Sequence, residues 1–297
     1  MVHALSQATI SSHSYLKTIK TVFVLLVLPS LLSAQNMLDP SRWEKVELIP
    51  PIEKAFIEKN GIQSITFQVQ KKYPNERVSQ VGTVEYSYNW DGDLVEKKEY
   101  LNQKYIRYRY IHENGLLKIT LTEQGHIETR MVNVFNQYGK VIERQFFKRD
   151  TNGVVPTKPF KTERVSSNLI EKGRAIDSSV TNHYGKVRYN SKTYLTEEGL
   201  PEEKIIRTSG RTTTIYWKYN EKKKVNQIVR KSNYLLSTYD LFYRNNKLDY
   251  IEEQTGKKQK KVFFQYEGAI PGALSSILKT NVLNQEMDII HVEYTTF

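Results

Sequence analysis

A strand-and-turn unit that recurs about every 23 residues constrains the fold more than any other feature of this chain. Gly92 and Gly115 are 23 residues apart, and Tyr219 and Tyr243 are 24 apart. Within each copy the large apolar side chains fall on alternate residues, which share one face of a strand. A fixed period in this range is typical of repeat architectures. The clearest copies lie at 84–88, 106–110, 215–219 and 262–266.

Short turn signals separate these copies. Trp90-Asp91-Gly92 and Glu113-Asn114-Gly115 carry Asp-Gly and Asn-Gly, which supply the positive φ that a tight hairpin requires. Such short connections make consecutive strands antiparallel neighbours. The sequence therefore predicts a mainly β fold, a long antiparallel β-meander of about sixteen strands. We expect the meander to be curled or split into two sheets, with one short N-terminal helix.

Residues 1–34 are predicted to be a signal peptide. Lys17 and Lys20 precede the apolar run at 22–28, and the small residues Ser33-Ala34 follow before Gln35. The alternative is a retained anchor helix, but the apolar stretch is about 13 residues long against the roughly 20 that span a bilayer. We therefore expect an exported protein, in the periplasm, on the outer surface or secreted.

The mature chain divides into four predicted segments. Residues 35–61 form an N-terminal segment with a short helix, which Pro50-Pro51 should start and Asn60-Gly61 should end. Residues 62–147 and 178–297 form two halves of the β-meander. Residues 148–177 break the rhythm and are predicted to be an irregular insertion, either a linker or an excursion from one sheet.

Composition limits the partners and the chemistry. The 297 residues carry a formal charge of +12 and no cysteine, so the chain forms no disulfide. A basic balance favours acidic partners such as anionic glycans. The basic residues are spread along the chain. They are therefore better explained as solvent-exposed residues on strand faces, and as charges that keep sheet edges from pairing with other chains, than as a binding site for an acidic partner.

The turn motif carries a family resemblance. Tyr88-Asn89 is followed by Gly92 and Leu94, and Tyr219-Asn220 is followed by Val225. Over 62–147 and 180–270 this pattern resembles the YD-repeat (RHS-like) β-meander proteins of bacterial envelopes and secretions. The resemblance implies a shell, an adhesive surface or another envelope role without a defined activity.

No pattern in the sequence indicates a catalytic residue, a cofactor or a metal. The chain has no nucleophile elbow, phosphate-binding loop or zinc motif. Glu197-Glu198 and Glu202-Glu203 flank Gly199-Leu200-Pro201, and a charged turn explains them better than a glycosidase pair. No two histidines of the mature chain stand at metal-ligand spacing; they are His112, His126, His183 and His291.

The aromatic ladder is the candidate ligand-facing surface. Nine residues compose it: Tyr86, Tyr88, Tyr108, Tyr110, Trp217, Tyr219, Tyr243, Phe264 and Tyr266. Aromatic platforms with basic neighbours bind single-stranded nucleic acid. Here the neighbouring Arg107, Arg109 and Lys218 alternate with the rings and fall on the opposite face, so core packing is the better interpretation. We expect no nucleic acid partner; another envelope protein or an anionic glycan is the partner class left open.

A transmembrane barrel is the main structural rival. A lipid-facing wall needs an apolar side chain at every second position. In 94–101, Glu96 and Lys98 lie on one face and Lys97 and Glu99 on the other. We therefore expect a protein that does not span the membrane after signal removal. The predicted function is a non-enzymatic interaction or structural module. The alternatives are a binder of a lipophilic or glycan ligand and, less favoured, a carboxylate hydrolase at 148–177.

Overall fold

A computed structural model describes residues 37–297, apart from 46, 48, 151, 152, 155, 171 and 172. The predicted signal peptide therefore lies outside the described residues.

Two short helical elements precede eighteen strands. A single 3₁₀ turn covers Pro40–Arg42, and helix α1 covers Lys54–Lys59. The strands are β1 (Ile62–Lys72), β2 (Val78–Tyr88), β3 (Leu94–Leu101), β4 (Lys104–Glu113), β5 (Leu116–Gln124), β6 (Ile127–Phe135), β7 (Val141–Asp150), β8 (Lys161–Ile170), β9 (Ala175–Asn182), β10 (Val187–Leu195), β11 (Pro201–Thr208), β12 (Arg211–Tyr219), β13 (Val225–Ser232), β14 (Leu235–Arg244), β15 (Lys247–Thr255), β16 (Lys258–Gln265), β17 (Ser276–Asn281) and β18 (Met287–Thr296).

The strands close into one barrel. Each strand pairs antiparallel with the next, and β1 also pairs with β18, with Ile65 opposite Tyr294 and Val69 opposite Ile290. The predicted mainly β meander with one short helix is confirmed, but the division into two sheets is wrong. Closure has a physical reason, because a long twisted meander with one apolar face loses both exposed edges when its first and last strands pair.

The strand count exceeds the predicted sixteen partly because of residues 148–177. This stretch, expected to be irregular, contains all of β8 and the start of β9. These strands pair over eight positions, from Glu163 opposite Asn182 to Ile170 opposite Ala175. Their serine-rich centre gives little apolar alternation, so periodicity did not reveal them.

The asparagine of each Tyr-Asn pair in the repeat stabilises a turn by hydrogen bonding. In the β2–β3 turn, the Asn89 backbone N–H donates to the Asp93 carbonyl at 3.0 Å, and the Asn89 Oδ1 accepts from the Asp93 N–H at 2.8 Å. The same five-residue pattern recurs with Asn136, Asn182 and Asn220, and a threonine replaces asparagine in the turn that starts at Thr196. Asparagine suits this place because its side chain bonds the backbone of a turn.

The inner face of the barrel is apolar where the N-terminal segment packs against it. The described residues of 37–60, here called the plug segment, contribute Met37, Leu38, Trp43, Phe56 and Ile57 to a cluster with one face of β1, β2 and β12–β18. Ile228, Ile251 and Ile290 on that face are fully buried. A segment this short can contact so many neighbouring strands only from the concave side of the sheet. On that side the curvature also brings side chains of different strands into contact with one another. This face is therefore the lumen.

Helix α1 and its flanks hold the plug segment at one end of the barrel. Phe56 and Ile57 of the helix are buried in the apolar cluster. The Asn60 side chain donates to the Phe56 carbonyl at 2.8 Å, and Gly61 follows with φ +58°, as predicted for the helix end. Lys54 pairs with Asp93 in the β2–β3 turn. We call this end of the barrel the plugged end and the opposite end the far end.

Candidate functional site

A girdle of tyrosines lines the lumen at the plugged end. Each ring lies at or near the end of an even-numbered strand, and its hydroxyl donates to a backbone carbonyl at or near the start of the preceding strand. The bonds are Tyr219 to Pro201 at 2.6 Å, Tyr243 to Val225 at 2.7 Å, Tyr266 to Leu248 at 2.9 Å and Tyr294 to Leu274 at 2.7 Å. The 23-residue sequence period therefore sets the spacing of this girdle around the barrel.

Burial keeps these hydroxyls protonated. Desolvation raises the pKa of Tyr219 to about 12, and it raises the pKa of Tyr243, Tyr266 and Tyr294 still further above the usual value. A neutral phenol is a hydrogen-bond donor, so each ring stays bonded to its carbonyl at physiological pH. The girdle ties neighbouring strands together beneath the plug segment.

The remaining predicted aromatic residues also lie on the lumen face. Trp217 is buried and its Nε1 donates to the Trp43 carbonyl of the plug segment at 2.9 Å. Phe264 is buried in the same cluster, and Tyr86 packs edge-on against Phe67 with ring centroids 5.6 Å apart. Contact between any of them and a ligand stays a prediction.

A different environment surrounds the rings of β2 and β4. The Lys97 ammonium on β3 lies 5.3 Å from the Tyr86 ring centroid and 5.5 Å from that of Tyr108. Burial raises the pKa of both tyrosines, and also that of Tyr110. On this side of the lumen the aromatic rings share their face with Lys97, while Arg107 and Arg109 lie on the opposite face, as the alternation predicted.

One cavity lies between the plug segment and the turns at the plugged end. Its volume is about 190 Å³, and Met37, Pro40, Tyr243 and Tyr266 form part of its lining. The Lys224 and Lys247 ammoniums each lie 5.2 Å from a ring centroid, above Tyr243 and Tyr266. A space of this volume corresponds to about six water molecules in the liquid. It can hold a small molecule with an apolar body.

The outer wall of β2 to β7 carries a continuous network of charged side chains. These residues alternate with the lumen-facing ones, so they point away from the plug segment. The ion pairs are Glu85–Lys98 at 3.5 Å, Lys98–Glu96 at 2.9 Å, Glu96–Arg107 at 2.6 Å, Arg107–Glu123 at 3.7 Å, Glu123–Arg109, Arg109–Glu128 at 3.5 Å and Glu128–Arg149 at 2.8 Å. We call these eight residues the wall network.

Hydrogen bonds in the wall network lower the pKa of Glu96. Partial burial alone would raise the pKa of Glu96, but the bonds from Lys98 and Arg107 outweigh it and hold that pKa below the usual value. The pairs that are partly exposed to water each contribute little to stability, whereas Glu128 is buried between Arg109 and Arg149. Together the pairs place charged side chains on six neighbouring strands.

Aromatic side chains on the outer wall are the residues that sequence reasoning missed. Phe242 and Tyr250 stack with ring centroids 4.3 Å apart, and Phe263 follows at 5.8 Å from Tyr250. These rings stand on β14, β15 and β16, opposite one another in register. Alternation predicted that side chains at these positions face solvent. Only the pairing of the three strands would have revealed the stack.

The candidate acidic pairs do not meet in a cavity. Glu197 and Glu198 are exposed in the β10–β11 turn, and Glu198 pairs with Lys223 at 3.3 Å. Glu203 lies on the outer wall, where its hydrogen bond raises the pKa of Tyr216. Among the described residues, no group of three or more histidines and carboxylates is placed to hold a metal ion.

Comparison with known proteins adds a likeness of overall shape. No family model and no curated protein sequence matches this chain. Among solved structures it is similar to a porin-like protein from Bacteroides uniformis ATCC 8492, with 9% identity, 80% of this chain and 98% of that chain covered, and a TM-score of 0.36. A porin-like protein from Bacteroides vulgatus ATCC 8482 gives 11% identity, coverage of 80% and 99%, and a TM-score of 0.35.

The resemblance to YD-repeat proteins is wrong. The described residues form a closed ring of eighteen strands rather than an open meander. The Tyr-Asn pairs that carried the resemblance serve the girdle and the five-residue turns, which any aromatic-rich hairpin protein can use. Within the described part of the chain, no helix has the length and apolar character to cross a membrane.

Proposed function

We propose that this protein is an exported, non-enzymatic β-barrel of the cell envelope that stands in water and acts as an interaction module. The single observation that carries the proposal is the orientation of its two faces. The apolar face points inward around the plug segment, and the wall network points outward. A transmembrane barrel has the reverse arrangement, an apolar outer band and a polar interior.

The energetic argument rests on the wall network. A lysine or arginine facing lipid near the midplane costs about 2–4 kcal/mol. Four basic and four acidic side chains make up the network, spread over β2 to β7. Pairing lowers this cost, but burying ion pairs in an apolar medium still carries a desolvation penalty. Water on the outer wall lowers this penalty for the members of the network that are partly exposed.

The absence of an enzymatic role is part of the proposal. It is supported by the carboxylate pairs, which stand apart on turns and on the outer wall. The alternative role, binding of a lipophilic or glycan ligand, would use the cavity beside Tyr243 and Tyr266. It stays a prediction, and a ligand larger than the cavity would have to displace the plug segment.

Cell fractionation tests the proposal. The full chain is produced in a Gram-negative host, and the membranes are washed first with high salt and then with detergent. We expect the protein in the osmotic-shock fluid, the medium or the salt wash, because the wall network places charged side chains on the outer face of β2 to β7. A chain lacking residues 1–34 is the control and should stay in the cytoplasm. Recovery only after detergent would contradict the proposal.

A further inference from the structure

The two ends of the barrel differ in charge. The difference lies in exposed charged residues of the turns and of the strand residues next to them, within the described part of the chain. The far end has seven basic residues and one acidic residue: Arg77, Lys104, Lys158, Lys186, Arg211, Lys257 and Lys258 against Glu76. The plugged end has five basic and six acidic residues: Lys140, Arg174, Lys222, Lys223 and Arg244 against Asp91, Glu113, Glu197, Glu198, Glu221 and Glu267.

The far end also carries the most exposed large apolar side chains. Tyr234 is 97% exposed, Val154 is 92% exposed and Tyr184 is 83% exposed. Phe160 and Leu283 are also largely exposed. They lie at the tips of the β13–β14, β7–β8, β9–β10 and β17–β18 connections. Single exposed apolar side chains are common on protein surfaces, but these five share one end of the barrel with the excess of basic residues.

These tips are distributed around the barrel. The four connections belong to strands that span from β7 to β18, and all open toward the far end because alternate turns of an antiparallel meander share an end. A flat partner could therefore touch several tips at once. All the basic residues except Lys104 lie in the same connections or beside them, so cationic and apolar groups face the partner together.

We propose that the far end docks onto the surface of an anionic phospholipid bilayer. Aromatic and aliphatic tips would enter the interfacial region, where amphipathic rings are favoured. The basic residues would contact the lipid phosphates, whose negative surface potential attracts clustered lysines and arginines. This inference rests on the proposed function, because it requires the barrel wall to remain in water.

The aliphatic tips distinguish a bilayer from a polyanionic glycan. Lysines and arginines would serve either partner, and tyrosines stack on sugars as well. Val154 and Leu283 gain nothing from a hydrated polysaccharide, whereas each buried apolar group contributes to binding at an acyl boundary. The combination of charge with aliphatic tips therefore favours lipid.

Vesicle flotation of the mature protein tests the charge contribution. Vesicles of phosphatidylcholine with phosphatidylglycerol are compared with vesicles of phosphatidylcholine alone. Each lysine near an anionic surface contributes about fivefold to binding, so the double variant Lys186→Gln/Lys257→Gln should bind about 25-fold more weakly. The matched control Lys140→Gln/Lys222→Gln changes two exposed lysines at the plugged end and should bind as the parent does. Equal losses in both variants would overturn the proposed orientation.

The tips are tested in the same assay. Tyr184→Ser/Tyr234→Ser should bind the anionic vesicles several-fold more weakly than the parent at low salt, because two rings no longer enter the interfacial region, whereas Tyr138→Ser/Leu116→Ser at the plugged end should bind as the parent does. Binding to dextran sulfate with no binding to either vesicle would overturn the proposal in favour of a glycan. Detergent-dependent extraction of the parent would instead contradict the proposed function, so the two failures are distinguishable.

Discussion

Replacing Gly82 by alanine is expected to cost more than about 4 kcal/mol of unfolding free energy, which is exceptional for a single methyl group. Gly82 lies in β2, between Val69 of β1 and Leu101 of β3. A Cβ atom at this position would stand 1.7 Å from the Tyr100 carbonyl oxygen, and the backbone has φ +148°. The obstacle is backbone, so the β2–β3 pairing must open to make room.

The test is urea unfolding of Gly82→Ala beside Gly125→Ala. Gly125 also has a positive φ of +59°, but nothing lies within 4 Å of the place that a Cβ atom would take there. Its substitution should cost only about 1–2 kcal/mol, the strain of the left-handed backbone alone. A similar loss for both variants would show that the close approach of β2 and β3 does not exist.

Truncating the plug segment at Phe56, its largest fully buried side chain, is expected to produce the second large effect. Phe56 in α1 is 1% exposed and belongs to the cluster that joins the plug segment to the barrel wall. Phe56→Ala removes that burial and leaves a cavity, which costs about 3–5 kcal/mol. Because the wall beneath it is apolar, the variant should also bind a hydrophobic dye that the parent does not bind.

The matched control is Phe160→Ala at the far end, where the same ring is 61% exposed. Its effect on the free energy of unfolding should stay within about 0.5 kcal/mol. Thermal and urea unfolding of both variants measure the difference. If Phe56→Ala were as stable as Phe160→Ala, the plug segment would not be part of the core.

The sequence predicted those parts of the fold that local chemistry determines. Alternation placed Ile215 and Trp217 on one buried face, and Asn-Gly at 60–61 marked the end of the helix. It also favoured core packing for the aromatic ladder, on the argument that Arg107 and Arg109 point to the opposite face. The wall network shows where those arginines point, toward Glu96 and Glu123.

Features that depend on pairing between distant strands could not be predicted from the sequence. Closure depends on the contact of β1 with β18, which no local pattern contains. The stack of Phe242, Tyr250 and Phe263 follows from the register of three strands. The charge difference between the ends appears only once alternate turns are known to share an end. The resemblance to a repeat family predicted the wrong fold because the shared motif consists of turn residues, which other hairpin proteins also use.

Site-directed spin labelling tests the central assertion most directly, that the face around the plug segment is buried and the outer wall faces water. The chain has no cysteine, so each introduced one is unique. Tyr216→Cys and His291→Cys place labels on the outer wall, and Ile251→Cys places one in the buried lumen. With membranes present, we predict that both outer labels collide with a water-soluble nickel complex and that the inner label is shielded from it. Outer labels that are shielded from nickel but reached by oxygen dissolved in lipid would contradict the account.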